Sequence, residues 1–276
     1  MTAISIENLD WYFTIGKPHI VCEDYALTGT APLPHIIVCD GCSTSEHTDI
    51  GVRIVAMSAR KSLREHFEAL QSNLPSYADL GHAVVNRARQ VADLLGLESS
   101  CLDATLMLAF PYREQIQVYI YGDGYITTVD RKGIFAYLKF AYEQNMPYYL
   151  TYWIDKSRRD VYLKTNQEGN AVLTLAEYRD GHEDVRTLNY DAPLVFTFAR
   201  HDYQLIALTS DGVSSFLAVE ENRKIPVLDI LQQLVAYKTT KGDFVKRRTR
   251  RMLKEYEKQG IYPSDDVSVA TLLIGN

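Results

Sequence analysis

The 276 residues are 46% hydrophobic and 23% charged, the balance of an ordinary globular protein rather than of a disordered or fibrous chain. A net charge of −6 and an isoelectric point near 5.7 argue against nucleic acid or an anionic membrane as the main partner. No apolar run approaches the ~20 residues of a membrane span, and residues 1–7 lack the basic and apolar regions of a secretion signal, so the expected setting is cytoplasmic.

In chain order, residues 4–14 alternate loosely and predict a first strand, broken by Gly16-Lys17-Pro18. Residues 19–27 read as a second strand with Glu23 and Asp24 in its middle. After a loop carrying Gly29 and two prolines, residues 34–42 form a run in which β-branched side chains climb to Asp40 and Gly41 permits a sharp turn. Such a run reads as a buried strand. An acid where a buried strand stops is costly unless a cation meets it.

The period then becomes helical. Ile50, Ile54, Met57, Leu63 and Phe67 share a face, with Asp49 placed to cap the helix. A second helix is predicted over residues 77–95, with Leu80, Val84, Val91, Leu94 and Leu95 on its apolar side and Gly96 ending it. This tandem predicts a helical layer over a sheet.

Strand periodicity returns at residues 104–110 and 116–121, a hairpin around residues 111–114, and Gly122-Asp123-Gly124 turns into a strand over 125–130. Residues from about 135 to 165 are dense in aromatics (Tyr137, Phe140, Tyr142, Tyr148, Tyr149, Tyr152 and Trp153) beside Lys156, Arg158 and Arg159. They predict an inserted segment, either packed on the sheet or forming a substrate-facing flap. Strands follow at 171–178, 194–199 and 204–209, the last running into Ser210-Asp211-Gly212. Two helices, 226–237 and 244–258, the latter with a basic outer face, precede Asp265-Asp266 and a final strand over 267–274. With no repeat, linker or low-complexity tract, a single domain over residues 1–276 is expected.

Four cysteines are too few and too dispersed for a disulfide framework. Cys39 and Cys42 form a C-x-x-C, but no second close pair completes a zinc site, and Asp-Gly followed by a polar loop is not the helix start of a redox motif. Packing at a strand end is the favoured role.

The acids on or at the ends of apolar strands are Glu23, Asp24, Asp40, Asp123, Asp211, Asp265 and Asp266. Two carboxylates brought within ~4 Å repel by ~4 kcal/mol at an effective dielectric of 20. Their convergence therefore calls for protons or cations, and an all-oxygen donor set suits hard ions such as Mg²⁺ or Mn²⁺. A two-metal oxygen site suits phosphate-ester hydrolysis.

At these residues the chain resembles the protein phosphatase 2C family of metal-dependent serine/threonine phosphatases, in its compact bacterial form. The matching elements run in order: Glu23-Asp24, Asp40-Gly41, the Ala104-Thr105 strand, Gly122-Asp123-Gly124, Ser210-Asp211-Gly212 and Asp265-Asp266-Val267-Ser268-Val269. The resemblance implies an α+β fold, an αββα sandwich of two mainly antiparallel sheets flanked by helix pairs. It implies hydrolysis of phosphoserine and phosphothreonine in a phosphoprotein partner by metal-activated water, in a monomer, with two Mn²⁺ or Mg²⁺ ions. Asp40 would bridge the ions with the Gly41 carbonyl beside it, Glu23 would face one ion, Asp211 and Asp265 would hold the other, and Asp24 would orient water.

Three positions depart from the pattern. His19 stands where the family carries a phosphate-gripping arginine, with Lys17 as the alternative grip, and Cys42 follows Asp40-Gly41 in place of the usual residue. Ser215 replaces an aspartate of a third metal site, which leaves Asp123 without its partner and a third ion doubtful. These departures motivate an alternative, a catalytically weak phosphatase-like metal-binding module that regulates or binds a partner.

Overall fold

The computed structural model describes residues 6–69, 73–166 and 172–275; the first two residues of the predicted first strand, and Ala171, lie outside them. The chain opens with strands β1 (Ile6–Thr14), β2 (Asp24–Gly29) and β3 (His35–Gly41), then helices α1 (Thr48–Glu68) and α2 (Tyr77–Leu94). Strands β4 (Ala104–Tyr112), β5 (Gln115–Tyr121), β6 (Gly124–Asp130) and β7 (Phe135–Tyr142) lead to helix α3 (Lys156–Thr165). Next come β8 (Val172–Arg179), β9 (His182–Asn189), β10 (Leu194–Ala199), β11 (Tyr203–Thr209), β12 (Phe216–Ala218) and β13 (Arg223–Lys224). Helices α4 (Val227–Val235) and α5 (Phe244–Glu257), then β14 (Ile261–Pro263) and β15 (Val267–Ile274), complete the fold.

The strands form a seven-stranded sheet in the order β1-β15-β11-β6-β7-β8-β9, a five-stranded sheet in the order β10-β5-β4-β3-β2, and a small β13-β12-β14 sheet. The two large sheets are antiparallel throughout and pack face to face. Strand β3 shows why. Its alternate residues Ile36 and Val38 join Met107, Ile120, Ile206, Leu208 and Leu272 between the sheets. Ile37 and Cys39 point the other way, into a core closed by Val52, Val55, Leu80 and Val84 of α1 and α2. A strand apolar on both faces has to be covered on both. The far sheet is covered by α4 and α5, through Ile230, Leu231 and Met252 over Phe216 and Val267, and through Phe244 and Val245 over Leu205, Ala207 and Val269. The result is the expected αββα sandwich.

Four details differ from the sequence reading. The break at Gly16-Lys17-Pro18 extends further than expected, so residues 19–23 are irregular rather than the first half of β2, and Ile20 is 96% exposed. Helix α1 starts two residues earlier, with His47 in a left-handed conformation (φ 61°) as its N-cap, so Asp49 lies in the first turn and acts on the helix dipole instead of capping. Residues 135–142 are β7, a full member of the large sheet, so the inserted segment is what separates β7 from β8. Strand β9, polar and almost wholly exposed, carries no apolar alternation and was not predicted.

Candidate active site

The alternation that builds the sandwich also gathers the acids. Ala26 of β2 and Ile36 and Val38 of β3 face the space between the sheets, as do Ile206 and Leu208 of β11 and Ala270 and Leu272 of β15. Period two then carries Asp24, Asp40, Ser210 and Ser268 to one end of that space. Asp24 lies directly across from Asp40 in the β2–β3 register, and Thr105 of β4 flanks Asp40 on the other side. The Ser210 hydroxyl donates to Asp24 Oδ2 (2.7 Å) and accepts from the Ser268 amide (3.0 Å), which stitches the two sheets at this end. Asp24 Oδ1 is buried with no hydrogen-bond partner among the described residues.

Two tight backbone passages bring in further acids. Gly122 and Gly124, with φ of +116° and +128°, flank Asp123; a Cβ at either would come within 2.8 Å of Thr105 or 2.7 Å of the Thr209 carbonyl. Asp211 opens the short 3-10 turn Asp211–Ser214 at the end of β11, and Gly212 is pressed so closely on the Asp266 carbonyl that a Cβ would sit 1.7 Å from its oxygen. That contact places Asp211 beside Asp265 at the mouth of β15.

A cavity of about 520 Å³ results, lined by Asp40, Gly41, Asp123, Asp211, Asp265, Thr105, the loop from Cys42 to Ser45, and Asp103, Tyr149, Tyr152 and Arg158. Burial holds the Asp40 carboxyl well above the ordinary carboxylate range, and repulsion from Asp24, Asp211, Asp123 and Asp265 adds to it. Asp123 is raised well above its usual value by burial and then by Asp211. Burial also raises Asp211, against a hydrogen bond with Asp40 and the nearby charge of Lys139. Asp24, wholly buried, is pushed up to about 8 despite the hydroxyls of Ser210 and Ser268.

Of the predicted site residues, Asp40, Gly41, Asp123, Asp211 and Asp265 thus share one cavity. Asp24 stands behind Asp40, and Glu23 accepts a close hydrogen bond from the Thr48 hydroxyl at the start of α1. His19, expected to grip phosphate, is not on the cavity wall. Its Nδ1 lies 3.0 Å from Asp266 Oδ1 and its Nε2 3.8 Å from Asp265. Asp266 is 3% exposed and explains this: it also accepts from the Gly16 amide (2.7 Å) and the Glu23 amide (2.5 Å), so it ties the loop of residues 15–23, His19 included, to β15. Lys17, the alternative grip, lies off the wall as well, with its ammonium 3.2 Å from the centre of the Tyr262 ring.

Sequence reasoning missed the Asp103–Arg158 pair on the cavity wall. Asp103, directly before β4, has the strand-edge position of the other acids, which is a signal. Its partner lies 55 residues away, in the segment least legible from the sequence.

The donor set is chiefly oxygen: mutually repelling carboxylates, a backbone carbonyl at Gly41 and an orphaned oxygen on Asp24, with the Cys42 thiol, 3.1 Å from the Thr44 hydroxyl, on the same wall. That chemistry fits hard divalent cations. Among the described residues no three of these side chains already form a coordinating group, and hard ions of this kind complete their shell with water. Cys39 does not compete for this role. All four cysteines are free, Cys39 is buried against the α1–α2 core, and burial raises its thiol well above the ordinary range.

A family model described as Protein phosphatase 2C matches residues 17–255. Among solved structures, the chain is similar to the serine/threonine phosphatase Stp1 from Staphylococcus aureus, at 13% identity and a TM-score of 0.55 over 99% of this chain and 96% of that one. It is also similar to the S. agalactiae serine/threonine phosphatase, at 15% identity and a TM-score of 0.58 over 97% and 99%. A third is the Mycobacterium tuberculosis serine/threonine phosphatase PstP/Ppp, at 15% identity and a TM-score of 0.52 over 98% and 99%. No curated protein matches the chain. Among the described residues no helix is long and apolar enough to cross a membrane.

Proposed function

The chain belongs to the protein phosphatase 2C family and is a protein serine/threonine phosphatase, and we propose that it works with two Mn²⁺ or Mg²⁺ ions held over Asp40. The observation that carries this reading is the convergence of Asp40, Asp123, Asp211 and Asp265 with Gly41 on one cavity, where burial and repulsion hold Asp40, Asp123 and Asp211 toward their protonated forms. Bound there, the ions would neutralise the carboxylates, polarise the phosphoryl oxygens and supply water as the nucleophile.

The residues take the following roles in this proposal. Asp40 would serve both ions, since Asp24, Asp211, Asp123 and Asp265 all act on its carboxyl. The Gly41 carbonyl and Glu23 would hold one ion, and Asp211 and Asp265 the other. Asp24, hydrogen-bonded to Ser210 and set across the ladder from Asp40, would orient water at the ions. Asp123 contributes charge to the same cavity, and Ser215, whose hydroxyl donates to the Gly212 carbonyl, offers it no acid partner for a third ion. The proposed setting is a cytoplasmic monomer with one catalytic domain, acting on phosphoprotein.

A second reading, a weakly catalytic metal-binding module, draws on one observation, the capture of His19 by Asp266 outside the cavity. Hydrolysis of a phosphothreonine peptide by the full chain separates the two. The phosphatase reading expects Mn²⁺-dependent turnover that is lost in EDTA and restored by Mn²⁺. The same negligible release of phosphate with and without Mn²⁺ would leave only the second.

A further inference from the structure

The cavity wall carries five acids, Asp40, Asp103, Asp123, Asp211 and Asp265, and among the described residues a single cation, Arg158. Arg158 comes from the first turn of α3, in the segment between β7 and β8, and its amide donates to the N-cap carboxylate of Asp155 (3.1 Å). The guanidinium is fixed from below. Nη1 donates to Asp103 Oδ1 (2.9 Å) and Nη2 makes a close contact with Asp103 Oδ2, a two-pronged pair. The Asp103 side chain is 3% exposed and is held in turn by the hydroxyls of Thr151 (2.7 Å, to Oδ1) and Ser45 (3.1 Å, to Oδ2). The guanidinium carbon stands 5.3 Å from the centre of the Tyr152 ring, itself part of the wall.

This is more than a bolt between the inserted segment and the sandwich. A bolt between buried elements is served as well by apolar packing as by an ion pair, and it has no need to reach an acidic cavity. The Arg158 side chain keeps 27% of its surface exposed while its partner has almost none. The pair with Asp103 engages two of the five N–H donors of a guanidinium; the others stay available in a plane the clamp has already set. An anion entering this cavity meets carboxylates on every other charged position of the wall. A fixed planar cation is therefore the protein group suited to receive its oxygens.

We propose that Arg158, oriented by Asp103, binds the phosphoryl group of the substrate and the phosphate product in this cavity. The assignment rests on the reading of the cavity as a phosphatase site. It gives the aromatic segment a function, since α3 delivers the phosphate-binding group.

The test is titration calorimetry of inorganic phosphate into the full chain with Mn²⁺, comparing wild type with Arg158→Gln, Arg158→Lys and the double variant Asp103→Asn/Arg158→Gln. Thermal melting is followed in parallel, because the single Gln variant strands a buried carboxylate and the double variant does not. The expected result is phosphate affinity weakened about tenfold or more in Arg158→Gln, partly rescued by Lys and still weak in the double variant. KM for a phosphopeptide should rise in step, with a smaller change in kcat. Wild-type phosphate affinity in Arg158→Gln, recovery of affinity in the double variant, or no phosphate binding by wild type would each overturn the assignment. The two readings fail separately. Loss of phosphate binding on changing Arg158 in a protein without turnover would spare Arg158 and sink the phosphatase mechanism. Normal turnover with unchanged phosphate affinity in Arg158→Gln would do the reverse.

Discussion

Asp24 and Asp40 stand directly opposite one another on the antiparallel strands β2 and β3, a pair of like-charged groups in a sheet whose other cross-strand pairs are chiefly apolar. Like charges in register destabilise a ladder, and here burial adds to the repulsion and holds both carboxyls above their usual range. The fold tolerates the conflict at the point where chemistry is proposed, the usual place for stored instability.

Removing one member of that pair should therefore separate stability from activity. In EDTA, Asp40→Asn should melt higher than wild type by about 3–6 °C, the shift that one or two kcal/mol gives in a chain of this size. Phosphopeptide hydrolysis by the same variant should fall at least about a hundredfold. Differential scanning calorimetry and a phosphate-release assay check the two halves. A lower melting temperature in EDTA would mean that Asp40 is not under repulsive strain.

A different part of the fold makes its own contribution to the pH dependence of stability. His35, fully buried at the start of β3, has Nδ1 2.9 Å from the Leu33 carbonyl and Nε2 without a partner among the described residues. Burial lowers its pKa below the ordinary histidine value of 6.5, and the charge of Arg60 lowers it further against the Leu33 bond. The unfolded chain then binds a proton that the folded chain refuses. The contribution is complete above the unfolded pKa near 6.5 and is lost as pH falls below it toward the depressed folded value. In denaturant titrations from pH 8 to 5, the stability of His35→Phe relative to wild type should rise as pH falls below 6.5, since only wild type carries this penalty; a difference independent of pH would remove His35 from the account.

Gly212 offers a steric test of how Asp211 is placed. With the Asp266 carbonyl oxygen 1.7 Å from where a Cβ would go, Gly212→Ala has to push β15 away from the end of β11. It should cost at least about 3 kcal/mol, beyond the range of ordinary single substitutions, and lower Mn²⁺ affinity. Gly133→Ala, at φ +83° with nothing within 4 Å, should cost only about 1–2 kcal/mol of backbone strain and leave the cavity intact. Similar losses of stability in the two variants would remove the close approach from the account.

Much of this architecture was readable because both sheets are built from strands buried on two faces. The runs ending at Asp40 and Thr209 admit one register each, and that register fixes where the next acid points. The resemblance to the phosphatase family assigns the ion-holding role to Asp265 rather than Asp266, and the structure has the first on the cavity wall and the second accepting from the loop of residues 15–23. What stayed hidden depends on contacts distant in sequence. The capture of His19 by Asp266 joins positions 247 residues apart, and Arg158 finds Asp103 across four strands and the aromatic segment. Strand β9 was hidden for another reason: it pairs through its backbone at a solvent edge, where no side-chain alternation is required.

The central claim is that Asp40 bridges two ions. Its most direct test is titration calorimetry of Mn²⁺ onto the metal-free chain and onto Asp40→Asn at neutral pH. The account predicts two Mn²⁺ per wild-type chain, bound with release of protons from the buried carboxyls, and loss of both binding events in Asp40→Asn. Equal stoichiometry and affinity in the two proteins would contradict it.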